Sequence, residues 1–149
     1  MTIRASSEED LPQIFDIYSK SKLDELQFEE HEFSLVPIEE DSKRLSELME
    51  SDIYVFHNEQ LVEGYGALYG NEIRALFVRP ESRGKGIGKK LLEFLLFNIS
   101  SNACLYVAST NHPAKNLYSA YGFNVTDTFK TTYNQLPVLA QRMDRINNN

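Results

Sequence analysis

The stretch that decides the fold covers residues 76–92 and reads LFVRPESRGKGIGKKLL. An extended run of strand-forming residues ends in it at Val78. Three glycines then stand at alternate positions, Gly84, Gly86 and Gly88, and a helical stripe of apolar residues follows them. Because glycine has no Cβ, backbone N–H groups at these positions can come close to a ligand. The stretch predicts a strand, a glycine-rich turn and a helix.

The charge around these glycines favours an anionic ligand. The first turn of a helix carries a partial positive charge, and the side chains of Arg83, Lys85 and Lys89 add three cations to it. A dinucleotide-binding fingerprint would need a glycine at Lys89, and a P-loop would need a glycine at Arg83 and Ser or Thr at Lys90. The segment therefore predicts a different phosphate or pyrophosphate site, and the alternative is a basic turn that only reverses the chain.

The apolar pattern on both sides of the turn predicts a sheet with flanking helices, in the order β-α-α-β-β-β-α-β-α-β-β. The helical stripe after the glycines runs into an apolar segment around Cys104, so strand, helix and strand form a parallel right-handed crossover. Before the hairpin we predict a strand that opens at Ile3, a helix capped by Ser7 and Asp10 with Leu11, Ile14 and Tyr18 on one face, a loop or broken helix over 21–37, and a helix over 38–50 with Leu45, Leu48 and Met49 on one face. The hairpin consists of 53–56 and 61–69, and a strand over 72–78 follows it. The last elements are a helix from Pro113 to Gly122 capped by Asn111 or His112 and an antiparallel pair over 123–131 and 136–143.

A second segment, residues 111–123, reads NHPAKNLYSAYGF. With the glycine-rich segment it resembles the two signatures of the GNAT (GCN5-related N-acetyltransferase) superfamily. That family shows Arg or Gln, any two residues, Gly, any residue, then Gly or Ala at 83–88, and Asn, Ala, Tyr and Gly-Phe at the spacing of 111–123. The resemblance covers residues 72–125 tightly and the rest by element order. It implies the GNAT acyl-CoA N-acyltransferase fold, an α/β fold whose central mixed, mostly antiparallel sheet is flanked by helices.

The resemblance also implies acetyl-CoA as co-substrate, without a metal. In the family, backbone groups at the position of Val78 meet the pantetheine arm, amides of residues 83–88 bind the pyrophosphate, and the residue at Asn111 lines the cofactor channel. The residues that we expect to contact acetyl-CoA on this basis are Leu76, Phe77, Val78, Arg83, Gly84, Lys85, Gly86, Ile87, Gly88, Lys89, Asn111, Asn116 and Tyr118.

Direct transfer of an acetyl group to an amine needs a neutral amine, a polarised carbonyl and a proton for the departing thiolate. Tyr118 stands at the family's tyrosine position and is the candidate acid, since a phenol has a pKa of about 10; its alternative role is a core tyrosine. Glu72 precedes Val78 by six residues, as the glutamate of the histone-acetyltransferase branch does, and is the candidate base. The alternatives to that role are a water relay and a solvated residue at a strand end.

We therefore expect an N-acetyltransferase that acts on a primary amine of a small molecule or peptide. A catalytically silent acyl-CoA sensor of the same fold is the first alternative, and an interaction scaffold without affinity for CoA is the second. The acceptor is expected between the early helices and the last two strands, in a site lined by Phe28, Tyr65, Tyr69, Arg74 and Tyr133.

The size and composition predict one domain. The chain has 149 residues with 42% hydrophobic residues, which suffices for a single core over residues 1–145, followed by a disordered tail over 146–149. Cys104 is the lone cysteine, so no internal disulfide forms, and its apolar surroundings predict a buried strand. His31, His57 and His112 are isolated from one another, and no metal site is expected.

The net charge of -7 argues against nucleic acid and anionic membranes as partners and favours a cationic acceptor. No apolar run reaches the length of a membrane span, and the polar, acidic N-terminus does not resemble a signal peptide. We expect a cytoplasmic protein that is a monomer or a homodimer.

Overall fold

A computed structural model describes residues 2–147 and shows a seven-stranded sheet with helices on both faces. The strands are β1 (Thr2–Ala5), β2 (Asp52–His57), β3 (Val62–Tyr69), β4 (Glu72–Val78), β5 (Ala103–Ala108), β6 (Asn124–Tyr133) and β7 (Leu136–Arg145), and the helices are α1 (Leu11–Ser21), α2 (Ser42–Met49), α3 (Ile87–Phe97) and α4 (His112–Ala120). The order of strands in the sheet is β1-β2-β3-β4-β5-β7-β6. Both the predicted α/β fold and the predicted order of elements are confirmed.

The sheet is antiparallel except between β4 and β5. These two strands are parallel, as the crossover predicts, but their ladder contains only Glu72 opposite Cys104 and Ile73 opposite Leu105. Toward Val78, β4 stays paired with β3 alone. A cleft therefore opens between β4 and β5 in the middle of the sheet.

Helix α3 packs very closely on one face of β3. Its buried stripe contains Leu91, Leu92 and Leu95, none of which is exposed to solvent. A Cβ added at Gly66 would lie 2.8 Å from a methyl of Leu95, and one added at Gly64 would lie 2.9 Å from the Phe77 carbonyl oxygen. These two glycines let the helix and the neighbouring strand approach, and the glycine-rich turn before α3 is positioned by that contact.

Helix α1 covers the opposite face and is tied to the start of the turn by Arg79. Ile14, Ile17 and Tyr18 form a core there with residues of β2 and β3. The buried Arg79 donates from Nε to the Val62 carbonyl oxygen (3.0 Å) and from Nη1 to Asp16 (2.7 Å). The guanidinium thus connects α1, β3 and the segment that leads into the glycines.

The predicted helix over 38–50 is shorter in the structure. A 3-10 helix covers Ile38–Glu40, and α2 starts only after Asp41, whose carboxylate caps it by accepting from the Arg44 backbone N–H (3.3 Å). Leu45 and Leu48 pack into the core as predicted, but the placement of Met49 on that face is wrong, because its side chain is 51% exposed at the end of the helix.

The remaining segments follow the predictions in most respects. After α1, the chain forms a 3-10 helix over Lys22–Leu26 and then an irregular loop, which confirms a broken helix in this stretch. The predicted tail begins after β7, where the Asn147 backbone N–H donates to the Asn102 side chain (2.9 Å). Asn148 and Asn149 lie outside the described residues. No helix within residues 2–147 has both the length and the apolar character needed to cross a bilayer.

The predicted cap of the first helical segment is present and carries a strong charge pair. Asp10 is buried, accepts from the Ser7 backbone N–H (2.8 Å), and binds both terminal nitrogens of Arg4 at 2.7 and 2.9 Å. The hydrogen bonds from Arg4 and Ser7 lower the pKa of Asp10 to about 2. The folded state therefore stabilises the ionised form of this carboxyl.

We predict that Asp10→Asn lowers the free energy of unfolding by about 2 kcal/mol at neutral pH. A lowered pKa gives stability that is present above the unfolded pKa of about 4 and is lost as pH falls through the folded value. Denaturant titrations at pH 7, 4 and 2 should therefore show a difference that disappears at the lowest pH. Asp52→Asn, which removes an exposed carboxylate, is the matched control. Equal losses in the two variants would contradict this assignment.

Candidate active site

A cavity of about 350 Å³ lies where β4 and β5 separate. Its walls come from β4, β5, α4 and the 3-10 helix over Lys22–Leu26, and Arg83 and Gly88 lie at the end next to the glycine-rich turn. The two sequence signatures therefore face one space, although they are separated along the chain.

The glycine-rich turn forms an open cradle at the start of α3. Gly84 and Gly86 have φ values of +82° and +80°, a left-handed conformation that side chains disfavour. Gly86 is the N-cap of α3, and a Cβ added at either glycine meets no atom within 4 Å. The amides at this helix start can therefore bind an anion, which fits the pyrophosphate of an acyl-CoA.

The cationic side chains of the turn differ in what they contact. Arg83 lines the cavity, donates from Nε to the Val78 carbonyl oxygen (3.2 Å), and pairs through Nη1 with Asp24 (2.7 Å). Lys85 and Lys89 are exposed beside the turn. Arg83 thus joins the turn to the 3-10 helix at the mouth of the cavity.

The predicted strand residues Leu76, Phe77 and Val78 all line the cavity. They belong to the part of β4 that is not paired with β5, so the backbone groups on this edge of β4 make no ladder hydrogen bonds to β5. A bulge just before them pairs Ala67 with Ala75 and Leu68 with Ile73, which leaves Arg74 as the extra residue. Backbone groups along this edge can therefore serve a ligand that lies in the cleft.

Tyr118 projects from α4 into the cavity wall, where its residue is 9% exposed. Its ring packs edge-on against Phe123 at 5.8 Å between centroids. Burial raises the pKa of the phenol, and the negative charge of Glu25 raises it further. The hydroxyl therefore stays protonated at neutral pH and can act as a hydrogen-bond donor.

Asn111 lies at the start of the same helix and lines the cavity. Its side-chain oxygen caps α4 by accepting from the Ala114 backbone N–H (3.5 Å). Pro113 occupies the first turn, as predicted, because a helix start needs no N–H at that position. The cap orients α4 so that Asn111 and Tyr118 face the same space.

The other predicted site residues do not line the cavity; Gly84, Lys85, Gly86 and Lys89 belong to the turn and the start of α3 beside it. The side chain of Ile87 is buried in the core with Phe56 and Leu91, so only its backbone can reach a ligand. Asn116 is exposed on the outer side of α4. Glu72 is partly buried and lies 3.5 Å from Arg74 Nε, and the cavity lining does not include it.

Of the residues predicted to line the acceptor site, only Arg74 lines the cavity. The prediction is wrong for Tyr65, which is 1% exposed in the core under α1. Tyr133 is also buried, and its hydroxyl accepts from the Val36 backbone N–H (2.9 Å). Tyr69 stacks on the Arg74 guanidinium (4.0 Å), and Phe28 is exposed; neither lines the cavity.

The sequence reasoning missed the acidic wall of the cavity. Asp24 and Glu25 line it from the 3-10 helix after α1. They belong to the stretch with no clean periodicity, where no sequence pattern predicts which side chains point inward. Within residues 2–147 no three His, Cys, Asp or Glu side chains are grouped to hold a metal ion. Cys104 is buried as predicted, and burial raises its thiol pKa.

The sequence and the fold both resemble those of known N-acetyltransferases. The peptidyl-lysine N-acetyltransferase YiaC of Escherichia coli is 35% identical over 68 residues, which is 46% of this chain and 46% of YiaC. The chain therefore aligns with less than half the length of the curated relatives it matches. Among solved structures, a ribosomal-protein-alanine N-acetyltransferase from Brucella melitensis superposes with a TM-score of 0.72 at 21% identity, covering 99% of this chain and 100% of that one.

A phosphinothricin acetyltransferase of the GNAT superfamily from Sinorhizobium meliloti, solved with acetyl-CoA, superposes with a TM-score of 0.71 at 24% identity, covering 97% of this chain and 87% of that one. The family model of the acetyltransferase (GNAT) domain matches residues 49–125, which is more than half of the chain and includes both signature segments. The chain is thus a member of the GNAT acetyltransferase family.

Proposed function

We propose that the protein transfers an acetyl group from acetyl-CoA to a primary amine of a small molecule or peptide. The observation that carries the proposal is that the glycine-rich turn and Tyr118 border the same cavity between β4 and β5. The amides at the glycine-rich end suit the pyrophosphate of a CoA thioester, and the phenol in the wall suits its sulfur. The thioester supplies an activated acetyl group. The residues of the chain bind the thioester, take a proton from the amine and donate a proton to the thiolate.

The residues around the cleft fit an acyl-CoA in three places. The cradle of Gly84 and Gly86 is open and suits a pyrophosphate, with Arg83 beside it. The edge of β4 that ends at Val78 suits the amide groups of a pantetheine arm. Asn111 lies across the cleft on α4. Lys85 and Lys89 add positive charge at the exposed rim.

Tyr118 is proposed as the proton donor to the departing thiolate. Its hydroxyl makes no hydrogen bond to another residue in the range 2–147, and the hydroxyl oxygen is not completely shielded from solvent. The hydroxyl is therefore available to a ligand in the cavity. Its raised pKa keeps the phenol protonated at neutral pH, so it faces the cavity as a hydrogen-bond donor.

The names of the relatives do not agree on one acceptor. They include peptidyl-lysine, ribosomal-protein alanine and phosphinothricin acetyltransferases, which share an amine acceptor and differ in what carries it. The acidic wall of this cavity favours an amine that arrives as a cation. The acceptor panel should therefore contain a lysine peptide with a blocked N-terminus, spermidine, an aminoglycoside and a free amino acid.

We predict that Gly86→Glu weakens acetyl-CoA binding by at least about tenfold, because it places a carboxylate where the pyrophosphate binds. Calorimetric titration with acetyl-CoA measures the effect. Gly86→Ala is the matched control, since it introduces the same backbone strain at φ +80° without the charge or the bulk. Equal affinities of the two folded variants would move the pyrophosphate site elsewhere.

We predict that Asp24→Asn tightens acetyl-CoA binding by about two- to fivefold. The ion pair between Asp24 and Arg83 must yield if Arg83 is to bind a pyrophosphate, and the Asp24 charge repels that anion. The gain should shrink in high salt, because both side chains are almost half exposed. Weaker binding of the variant would show that Asp24 instead holds Arg83 in its binding position.

We predict that Tyr118→Phe lowers kcat by about a hundredfold and leaves the acetyl-CoA Kd unchanged. The ring contact with Phe123 is retained, so the variant should fold. Release of free thiol with the acceptor panel measures kcat, and Tyr121→Phe immediately after the same helix is the control. Because the pKa of Tyr118 is raised, its deprotonation should not reduce wild-type activity below about pH 10.

The same assay tests the silent sensor as an alternative. Binding of acetyl-CoA without thiol release by the wild type would favour the sensor, and no binding would exclude both functions. Full activity of Tyr118→Phe would assign the proton donor to another group. Thiol release by the wild type that depends on Tyr118 would support the acetyltransferase.

A further inference from the structure

We propose that Glu25 is a catalytic residue that receives the acceptor ammonium and takes its proton. The inference rests on the proposed acetyltransferase function and assigns to Glu25 the base role that the sequence pattern suggested for Glu72. It further defines the acceptor as an amine that enters as a cation along the 3-10 helix over Lys22–Leu26.

The position of Glu25 is the first support. It lines the same cavity as Tyr118, and its side chain is 32% exposed. Burial raises the pKa of Tyr118, and the negative charge of Glu25 raises it further, which is consistent with two groups that line one cavity. Glu72 meets neither condition, because it does not line the cavity and does not contribute to the raised pKa of Tyr118.

The contacts of the Glu25 carboxylate are the second support. Its Oε2 binds the Lys22 ammonium at 3.0 Å, so an alkyl ammonium already docks on this group. No residue in the range 2–147 is hydrogen-bonded to Oε1, which leaves one oxygen for a second ammonium. Lys22 is 14% exposed and lies over the Tyr133 ring at 5.3 Å, so it holds the carboxylate in a fixed place.

The proton balance of the step is simple. The N–H bond of the ammonium breaks and its proton passes to Glu25 Oε1. The nitrogen lone pair then forms a bond to the thioester carbonyl carbon, the C–S bond breaks, and the thiolate accepts a proton from Tyr118. The nitrogen of the new amide loses its extra proton to the tyrosinate, which restores Tyr118, and Glu25 releases its proton to solvent.

The surroundings of Glu25 leave few other groups that titrate near neutral pH. The charged and titratable groups that line the cavity with Glu25, or are linked to it by charge or through Lys22, are Lys22 and Asp24 on its own turn, Tyr18 on α1, Tyr65 on β3, Arg74 on β4, Arg83 in the glycine-rich turn, Tyr106 on β5, Tyr118 on α4 and Tyr133 at the end of β6. Burial raises the pKa of Tyr18, Tyr65 and Tyr118, so these phenols do not ionise between about pH 6 and 9.

The test compares the pH dependence of kcat/KM for wild type, Glu25→Gln and Glu72→Gln, with acetyl-CoA and the panel amine that the wild type acetylates fastest. We expect Glu25→Gln to lose about a hundredfold in kcat/KM near pH 7 with an unchanged acetyl-CoA Kd. The deficit should shrink as pH approaches the pKa of the amine, about 10.4 for a lysine side chain, because a neutral amine needs no base. A purely structural role would lower kcat/KM equally at every pH.

Two further variants complete the test. Glu25→Asp keeps a carboxylate and should keep the wild-type pH profile with a smaller loss. Glu30→Gln removes an exposed carboxylate shortly after the same turn and should leave kcat/KM unchanged. Wild-type kcat/KM in folded Glu25→Gln, or a pH-dependent loss in Glu72→Gln alone, would overturn the proposal. Absence of thiol release from the wild type would instead contradict the proposed function itself.

Discussion

The rest of the structure depends on how little β4 and β5 pair. Their parallel ladder holds at Glu72 and Ile73 and then ends, while β4 keeps its antiparallel partner β3. The bulge that leaves Arg74 without a partner residue changes the course of β4 at this point. The two halves of the sheet therefore separate in the middle of the molecule, and the separated edges become the walls of a cavity. A fully paired sheet would offer neither the space nor the backbone groups of β4.

The contacts that hold the cleft open come from outside it. On one face, Gly64 and Gly66 let α3 lie close to β3, which fixes the start of α3 at the end of the cavity. On the other face, Arg79 ties α1 to β3 immediately before the glycine-rich turn. The N-terminal amides of α3 are thus held by packing in the core, so the anion site needs little reorganisation. Such preorganisation reduces the free-energy cost of binding a flexible substrate.

The sequence predicted those parts of the structure that depend on local patterns. Glycines at 84, 86 and 88, the cap at Asn111 and the stripe of α3 belong to recurring motifs, and the structure contains each of them. The position of Tyr65 depends on which face of β3 it occupies after the shift in register between β2 and β3, and the cavity opens along β4 only beyond Glu72. A bulge has no clear sequence signal, and one inserted residue reverses the direction of the side chains that follow. The same limit applies to the aperiodic segment that contains Glu25.

The charges of the cavity differ in sign between the glycine-rich turn and the 3-10 helix over Lys22–Leu26. Arg83 and the amide groups of the glycine-rich turn give its outer end a positive potential, and Glu25 gives the wall of the 3-10 helix a negative one. Asp24 pairs with Arg83 and Lys22 pairs with Glu25, so Arg83 and Glu25 each have a partner before a ligand enters. An anionic cofactor-like substrate and a cationic amine would each replace one of these partners. Under the proposed function, the wall would separate the two substrates by charge, and both would lie in the cavity that Tyr118 lines.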